Sequence, residues 1–245
     1  MRLVGCLVTV ESLTLAERAQ MFALMDAHYE NVALPAFEAD LAEKQWVILV
    51  RDPRDGGVCG FSTQMLLDVE VEGRPMQVLF SGDTIIARDR WGDSALAQVW
   101  GRLALSLIDA HPGIERYWFL ISKGYKTYRF LPVFFREYYP RPGTVTPPWA
   151  KAVIDALGRH KYRTAYDPHA GVVRAEGYKD RLRPGVADLT PERLKDPHVR
   201  FFSERNSGHA RGDELCCIAP LTRENFTPAA YRVIGREPVA LGASS

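Results

Sequence analysis

Apolar residues recur along this chain at two spacings, and the places where one gives way to the other mark its elements. Leu15, Ala19, Phe22 and Met25 share a face at helical spacing, and Thr14-Leu15-Ala16-Glu17 has the form of a capping box. A helix over about residues 15–29 is predicted. Pro35 suits the first turn of a second, shorter helix that carries Phe37 and Leu41 on one side. Residues 46–50, 58–67 and 76–86 are apolar and rich in β-branched side chains, with turn clusters at 52–57 and 72–75, so they predict an antiparallel meander of strands.

The longest apolar stripe follows. Leu96, Val99, Trp100, Leu103, Ala104, Leu107 and Ile108 line one face of a helix that starts at Ser94 and is stopped by His111-Pro112-Gly113. Residues 117–121 read as a strand, and a strand-helix-strand passage of this kind implies a parallel pair joined by a right-handed crossover. Residues 125–135 are aromatic and partly helical in pattern, limited by Pro132. Pro140, Pro142, Pro147 and Pro148 mark a connection, a helix begins near Lys151, and a last strand is predicted at 214–221 after an irregular stretch. The fold class expected is α/β (α+β): a central mixed, mostly antiparallel sheet flanked by helices. Residues 1–147 form the core on this reading, and 148–245 an extension that packs on it and contributes a final strand.

Composition narrows the function. The chain of 245 residues is 47% hydrophobic and 25% charged, an ordinary globular balance. Its 31 basic and 30 acidic residues leave a formal net charge of +1, so no global field collects nucleic acid or an anionic membrane, and any anion site must be local. No apolar run approaches the roughly 20 residues of a membrane span. Cys6, Cys59, Cys216 and Cys217 show no metal-ligand spacing, so a cytoplasmic, metal-free protein is expected.

The segment between the third predicted strand of the meander and the long helix is Ile85-Ile86-Ala87-Arg88-Asp89-Arg90-Trp91-Gly92-Asp93-Ser94-Ala95. Gly92 followed by the small Ser94 and a strong amphipathic helix is the arrangement of an anion-binding turn. With these residues in place, the order of elements over about residues 12–140 resembles that of the GNAT-type N-acyltransferases. In that family the loop carries Arg/Gln-x-x-Gly-x-Gly/Ala, and its backbone N–H groups hold the CoA pyrophosphate at the helix N-terminus. The resemblance implies that Arg88, Arg90, Trp91, Gly92, Asp93, Ser94 and Ala95 surround the pyrophosphate, with Ile85, Ile86 and Ala87 along the pantetheine arm. Here Asp89 stands where the family usually has Arg or Gln, and Asp93 adds a second negative charge.

Acyl transfer to an amine needs a base near the nitrogen and an acid for the departing thiolate. Asp83 lies in an otherwise apolar strand beside Gly82, which signals a bulge or a close backbone approach, and it is the first candidate for base or amine contact. Its other reading is a structural partner for a basic side chain. Tyr125 and Tyr128 follow the next strand, where the family often carries a tyrosine acid; they read equally as core tyrosines. The segment 201–214, which concentrates polar groups including His209 and Asp213, is expected over the acceptor site. The resemblance implies direct transfer from acetyl-CoA or another acyl-CoA, or from an acyl carrier protein with the same arm, to a small-molecule amine. The alternatives are a catalytically silent GNAT-like binding or scaffold protein, and a hydrolase using Cys216, His209 and Asp213.

Overall fold

The computed structural model describes residues 2–235 apart from 176 and 178. An edge strand, β1 (Val4–Thr9), leads into α1 (Leu15–His28), where the capping box closes as its residues require: Thr14 Oγ1 accepts the Glu17 N–H and the Glu17 carboxylate accepts the Thr14 N–H. A short β2 (Tyr29–Glu30) and α2 (Leu34–Ala42), with Pro35 in its first turn, precede the meander of β3 (Trp46–Arg51), β4 (Val58–Val71) and β5 (Arg74–Ile86). The β4 and β5 strands run further than their apolar cores predict. Glu72 and Gly73, at φ 52° and 76°, close them in a two-residue turn, and Pro75 sits in the strand opposite Glu70.

Helix α3 (Ala95–Ala110) carries the predicted stripe and leads to β6 (Arg116–Ser122), which lies parallel to β5. After β6 come α4 (Tyr125–Tyr128), α5 (Phe130–Phe134) and α6 (Pro148–Tyr162). Short strands β7 (Tyr166–Asp167), β8 (Val172–Val173) and β9 (Arg181–Leu182) precede α7 (Pro197–Arg205), β10 (Glu214–Pro220) and α8 (Pro228–Ile234). Among the described residues the sheet has eight strands in the order β1-β3-β4-β5-β6-β10-β8-β7, and β2 pairs with β9 apart from it. Every described pair is antiparallel except β5 with β6. Of the predicted extension 148–245, β10 joins the sheet against β6, and residues 236–245 lie outside the described residues.

Alternation along the strands splits the core between the two faces. One face packs Leu79, Trp118, Leu120 and Cys217 under α3, α5, α7 and α8 through Trp100, Leu103, Phe134, Phe202 and Ile234. The other packs Val47, Leu49, Phe61 and Ile85 under α1 and α2, and Val78, Phe80, Phe119 and Ile218 under α6. Burying each of these large side chains contributes about 1.5–3 kcal/mol, which is why helices cover both faces. Among the described residues no helix is long and apolar enough to cross a membrane.

Candidate active site

The parallel pair does not last the length of its strands. Register between β5 and β6 runs from Gln77 opposite Arg116 to Ser81 opposite Leu120 and stops there, whereas β5 keeps its pairing with β4 as far as Ile86 opposite Gly60. Residues 82–86 therefore have no β6 partner beside them, and the sheet opens between its two central strands.

A bulge marks the start of the opening. Ser62 faces Thr84 and Gln64 faces Ser81, so Gly82 and Asp83 together stand opposite Thr63. Only glycine fits at the first of these positions: a Cβ on Gly82 would lie 2.5 Å from Thr63 Oγ1 and 3.2 Å from Lys44 Cε. The extra residue turns Asp83 toward the α1, α2 and α6 face, where Asp40, Lys44, Lys123 and Asp180 act on its charge. Among the described residues Asp83 has neither a hydrogen bond nor an ion pair, although the surrounding charges are matched. Lys44 pairs with Asp40 at 2.8 Å, Lys179 with Glu214 at 2.9 Å, and Lys123 with Asp180 and, at 3.5 Å, with Glu214. Loss of hydration first, and then the neighbouring Asp40, push the Asp83 carboxyl up to about 7. A group that titrates there takes and releases a proton near neutral pH.

The opposite face of the opening is a narrow apolar cleft lined by Leu96, Ala97, Trp100, Trp118, Leu120 and Phe130, with Ser62, Ser81, Thr84 and Thr127 as its polar groups. A buried hydrogen-bond chain runs along its wall. Ser81 Oγ accepts the indole N–H groups of Trp118 at 2.9 Å and Trp100 at 3.2 Å and donates to Gln64 Oε1 at 2.7 Å. Gln64 Nε2 donates to Ser62 Oγ at 2.7 Å, and Ser62 is bonded to Thr84 at 2.7 Å. A wider hollow beside α8, lined by Arg136, Arg223, Phe226 and Arg232 among others, lies away from this opening.

The loop after β5 sets a carboxylate at the N-terminus of α3. Gly92 takes the positive φ of 96° that the turn needs, but Asp93 Oδ1 accepts the Ala95 N–H at 2.7 Å and its Oδ2 accepts the Leu3 N–H at 3.4 Å. Arg90 is held by Asp52 at 2.8 Å and by Asp89 at 3.2 Å. Trp91 Nε1 donates to the Ile86 carbonyl at 2.9 Å, Ala87 N–H is bonded to Cys59 O at 2.8 Å, and Ile85 is buried. Ser94 precedes α3 without capping it through its side chain.

The two tyrosines part company. Tyr128 is fully buried and donates to the Pro140 carbonyl at 3.0 Å, a packed core phenol whose ionisation burial opposes strongly. Tyr125 opens α4 directly beyond β6, and its buried hydroxyl has no hydrogen-bond partner among the described residues. The polar segment expected over the acceptor site is placed differently: α7 packs on α4, His209 packs on Phe202, and Asp213 is tied to Arg174 at 2.9 Å. What crosses the opening instead is the stretch after residue 178. Leu182 pairs with Tyr29, Arg183 N–H donates to His28 O at 2.9 Å, and Arg88 reaches Pro184 O at 3.4 Å. Cys216 and Cys217 are buried and burial drives both thiols well above their ordinary range, the wrong direction for a nucleophile. The Ser81 network escaped the sequence reading, since nothing in a linear pattern marks it, and so did Lys126, whose Nζ lies 3.1 Å over the Trp91 ring.

Part of this fold is similar to that of GNAT-family N-acetyltransferases of known structure. Similarity to the Escherichia coli GNAT-family N-acetyltransferase YhbS in complex with CoA has a TM-score of 0.38 at 16% identity, covering 53% of this chain and 69% of that one. An acetyltransferase from Trypanosoma brucei gives a TM-score of 0.38 at 13% identity, covering 58% of this chain and 98% of that one. An aminoglycoside acetyltransferase from an uncultured soil metagenomic sample, in complex with sisomicin, gives 0.36 at 14%, with coverages of 52% and 82%. No protein-family model matches this sequence, and a search of curated proteins finds no match.

Proposed function

We propose that this chain transfers an acyl group directly from acyl-CoA to a small amine. The observation that carries the reading is the opening of β5 from β6, with an apolar cleft on one face and an unpartnered carboxylate titrating at about 7 on the other. Two reactants that approach a sheet from opposite sides can meet only where its strands separate. The donor supplies an activated thioester, and residues 82–86 together with the cleft would receive its thioester arm.

Asp83 lacks the counter-ion that every neighbouring carboxylate has, and the ammonium of an acceptor would supply it. In the reaction the nitrogen forms a bond to the acyl carbon as the carbon–sulfur bond breaks. Asp83 first takes one proton from the ammonium and so frees the nitrogen lone pair for attack; Tyr125 gives its hydroxyl proton to the leaving thiolate, and the second proton that the nitrogen loses as the amide forms restores the phenol through solvent. The four free cysteines accord with a reducing, cytoplasmic setting.

One observation favours a second reading, a GNAT-like binding protein without activity: Asp93 occupies the helix N-terminus that the resemblance assigns to the pyrophosphate. The two separate by experiment. Release of free thiol from acetyl-CoA in the presence of a panel of primary amines, lost in Asp83→Asn, supports transfer. Saturable CoA binding with no thiol release at any amine supports the silent protein.

A further inference from the structure

If acyl-CoA is the donor, its phosphates need cations, and the place where the resemblance puts them already carries a carboxylate. Asp93 sets the chain's own carboxylate against the first N–H of α3, that of Ala95, so a phosphate there would meet like charge at short range. Of the cations near it, Arg90 is neutralised by both Asp52 and Asp89, and Arg2 is bonded to Ser94 Oγ at 3.5 Å and Gln98 Oε1 at 3.3 Å.

Two other cations stand free of these pairs. Arg88 and Lys126 have no carboxylate within ion-pair distance among the described residues; Arg88 makes one long hydrogen bond, to Pro184 O at 3.4 Å, and Lys126 Nζ lies 3.1 Å over the Trp91 ring. Of the acids near them, Asp89 holds Arg90, and Asp188 accepts the Gly185 N–H at 2.8 Å and acts on Lys126 only from beyond ion-pair distance. The two cations are close enough for the charge of Arg88, after burial, to lower the ammonium pKa of Lys126. A bound anion would favour the charged form of both. Their place also fits. Lys126 is flanked in the chain by Tyr125 and the cleft residue Thr127, and Arg88, which is exposed, comes two residues after β5 ends. Trp91 is 42% exposed, and its bond to the Ile86 carbonyl holds the ring as a fixed platform beneath the ammonium.

We propose that Arg88 and Lys126, with Trp91 behind the lysine, form the phosphate site of this protein, so that phosphate esters of the donor are held by side chains and not by the N-terminus of α3. The site rests on the acyl-CoA reading above for the identity of its ligand. It predicts a recognisable pattern of affinities, because a thioester without phosphates has nothing to give these cations.

The test is calorimetric titration of the wild type, Arg88→Ala, Lys126→Ala and Gly92→Glu with acetyl-CoA and with S-acetylpantetheine, which lacks the phosphates. Melting temperatures of the surface variants serve as the control for folding. Each cation removed should weaken acetyl-CoA roughly ten- to a hundredfold, leave S-acetylpantetheine unchanged, and flatten the loss of affinity with salt. Unchanged acetyl-CoA affinity in both alanine variants, with binding abolished by Gly92→Glu, would put the phosphates at the helix N-terminus and overturn the proposal. Wild-type protein that binds neither thioester would overturn the acyl-CoA reading itself.

Discussion

Ser81 Oγ accepts the indole N–H of Trp118 at 2.9 Å, at the last position where β5 and β6 still pair. The same oxygen accepts from Trp100, whose ring lies 4.4 Å from that of Trp118, and donates to Gln64. One hydroxyl thus fixes two indoles and ties the cleft wall to the strand that carries the bulge. Ser81→Ala leaves two buried donors and one buried acceptor unsatisfied, each costing about 1–3 kcal/mol, softened by any water that enters. Urea unfolding should show a loss of at least about 2 kcal/mol, with tryptophan fluorescence shifted in the folded state. A variant as stable as the wild type would mean that the indoles find other acceptors.

Asp83 gives the chain a pH dependence opposite in sign to that of an ordinary paired carboxylate. Its folded value of about 7 lies above the unfolded one, so between the two the folded state binds more protons. This contribution to stability is fully present below the unfolded value, falls as pH rises toward 7, and is gone above it. Asp83→Asn removes that fall. Unfolding free energies at about pH 5 and about pH 8 should therefore shift in the variant's favour at the higher pH. In the acyl-transfer reading, kcat/KM of the wild type also rises through about 7, and the variant loses that limb.

The tyrosines separate stability from chemistry. Tyr128→Phe removes the bond to Pro140 O and should cost about 1 kcal/mol with little change in kcat. Tyr125→Phe removes a hydroxyl that bonds to nothing among the described residues, so stability should hold while kcat falls by roughly two orders of magnitude or more if the phenol protonates the thiolate. Equal effects of the two substitutions on kcat would remove Tyr125 from the mechanism.

Much of this arrangement was legible before the fold was seen, for a physical reason. The Thr14 capping box, the Leu96 to Ile108 stripe and the meander are local patterns, set by hydrogen bonds and side-chain spacing within a few residues. Asp83 stood out because a carboxylate in an apolar strand is costly wherever that strand lies, and Gly82 because glycine in a strand signals crowding. What stayed hidden depends on distance in sequence. Ser81 meets Trp118 across 37 positions, and Lys126 lies over Trp91 only because α4 follows β6, which runs parallel to β5 and so ends on the same side as the loop after it. Asp93 also read as a charge opposing an anion, whereas its geometry makes it the anion.

The bulge itself can be tested without reference to any activity. A methyl group at position 82 would meet Thr63 Oγ1 at 2.5 Å, and Thr63 is fully buried with its hydroxyl unpartnered, so it has no room to retreat. Lys44 Cε, at 3.2 Å, belongs to a flexible chain, but its ammonium is held by Asp40, so it yields only in part. Gly82→Ala should destabilise the protein by about 1–3 kcal/mol. Thr63→Ala alone removes an unsatisfied hydroxyl and a methyl group from the core, and in the double variant it also removes the clash. The double variant should therefore be more stable than the sum of the single effects predicts, by about 1 kcal/mol or more. Additive effects would show that the strand relaxes away from Thr63, and that Asp83 owes its position to something other than this contact.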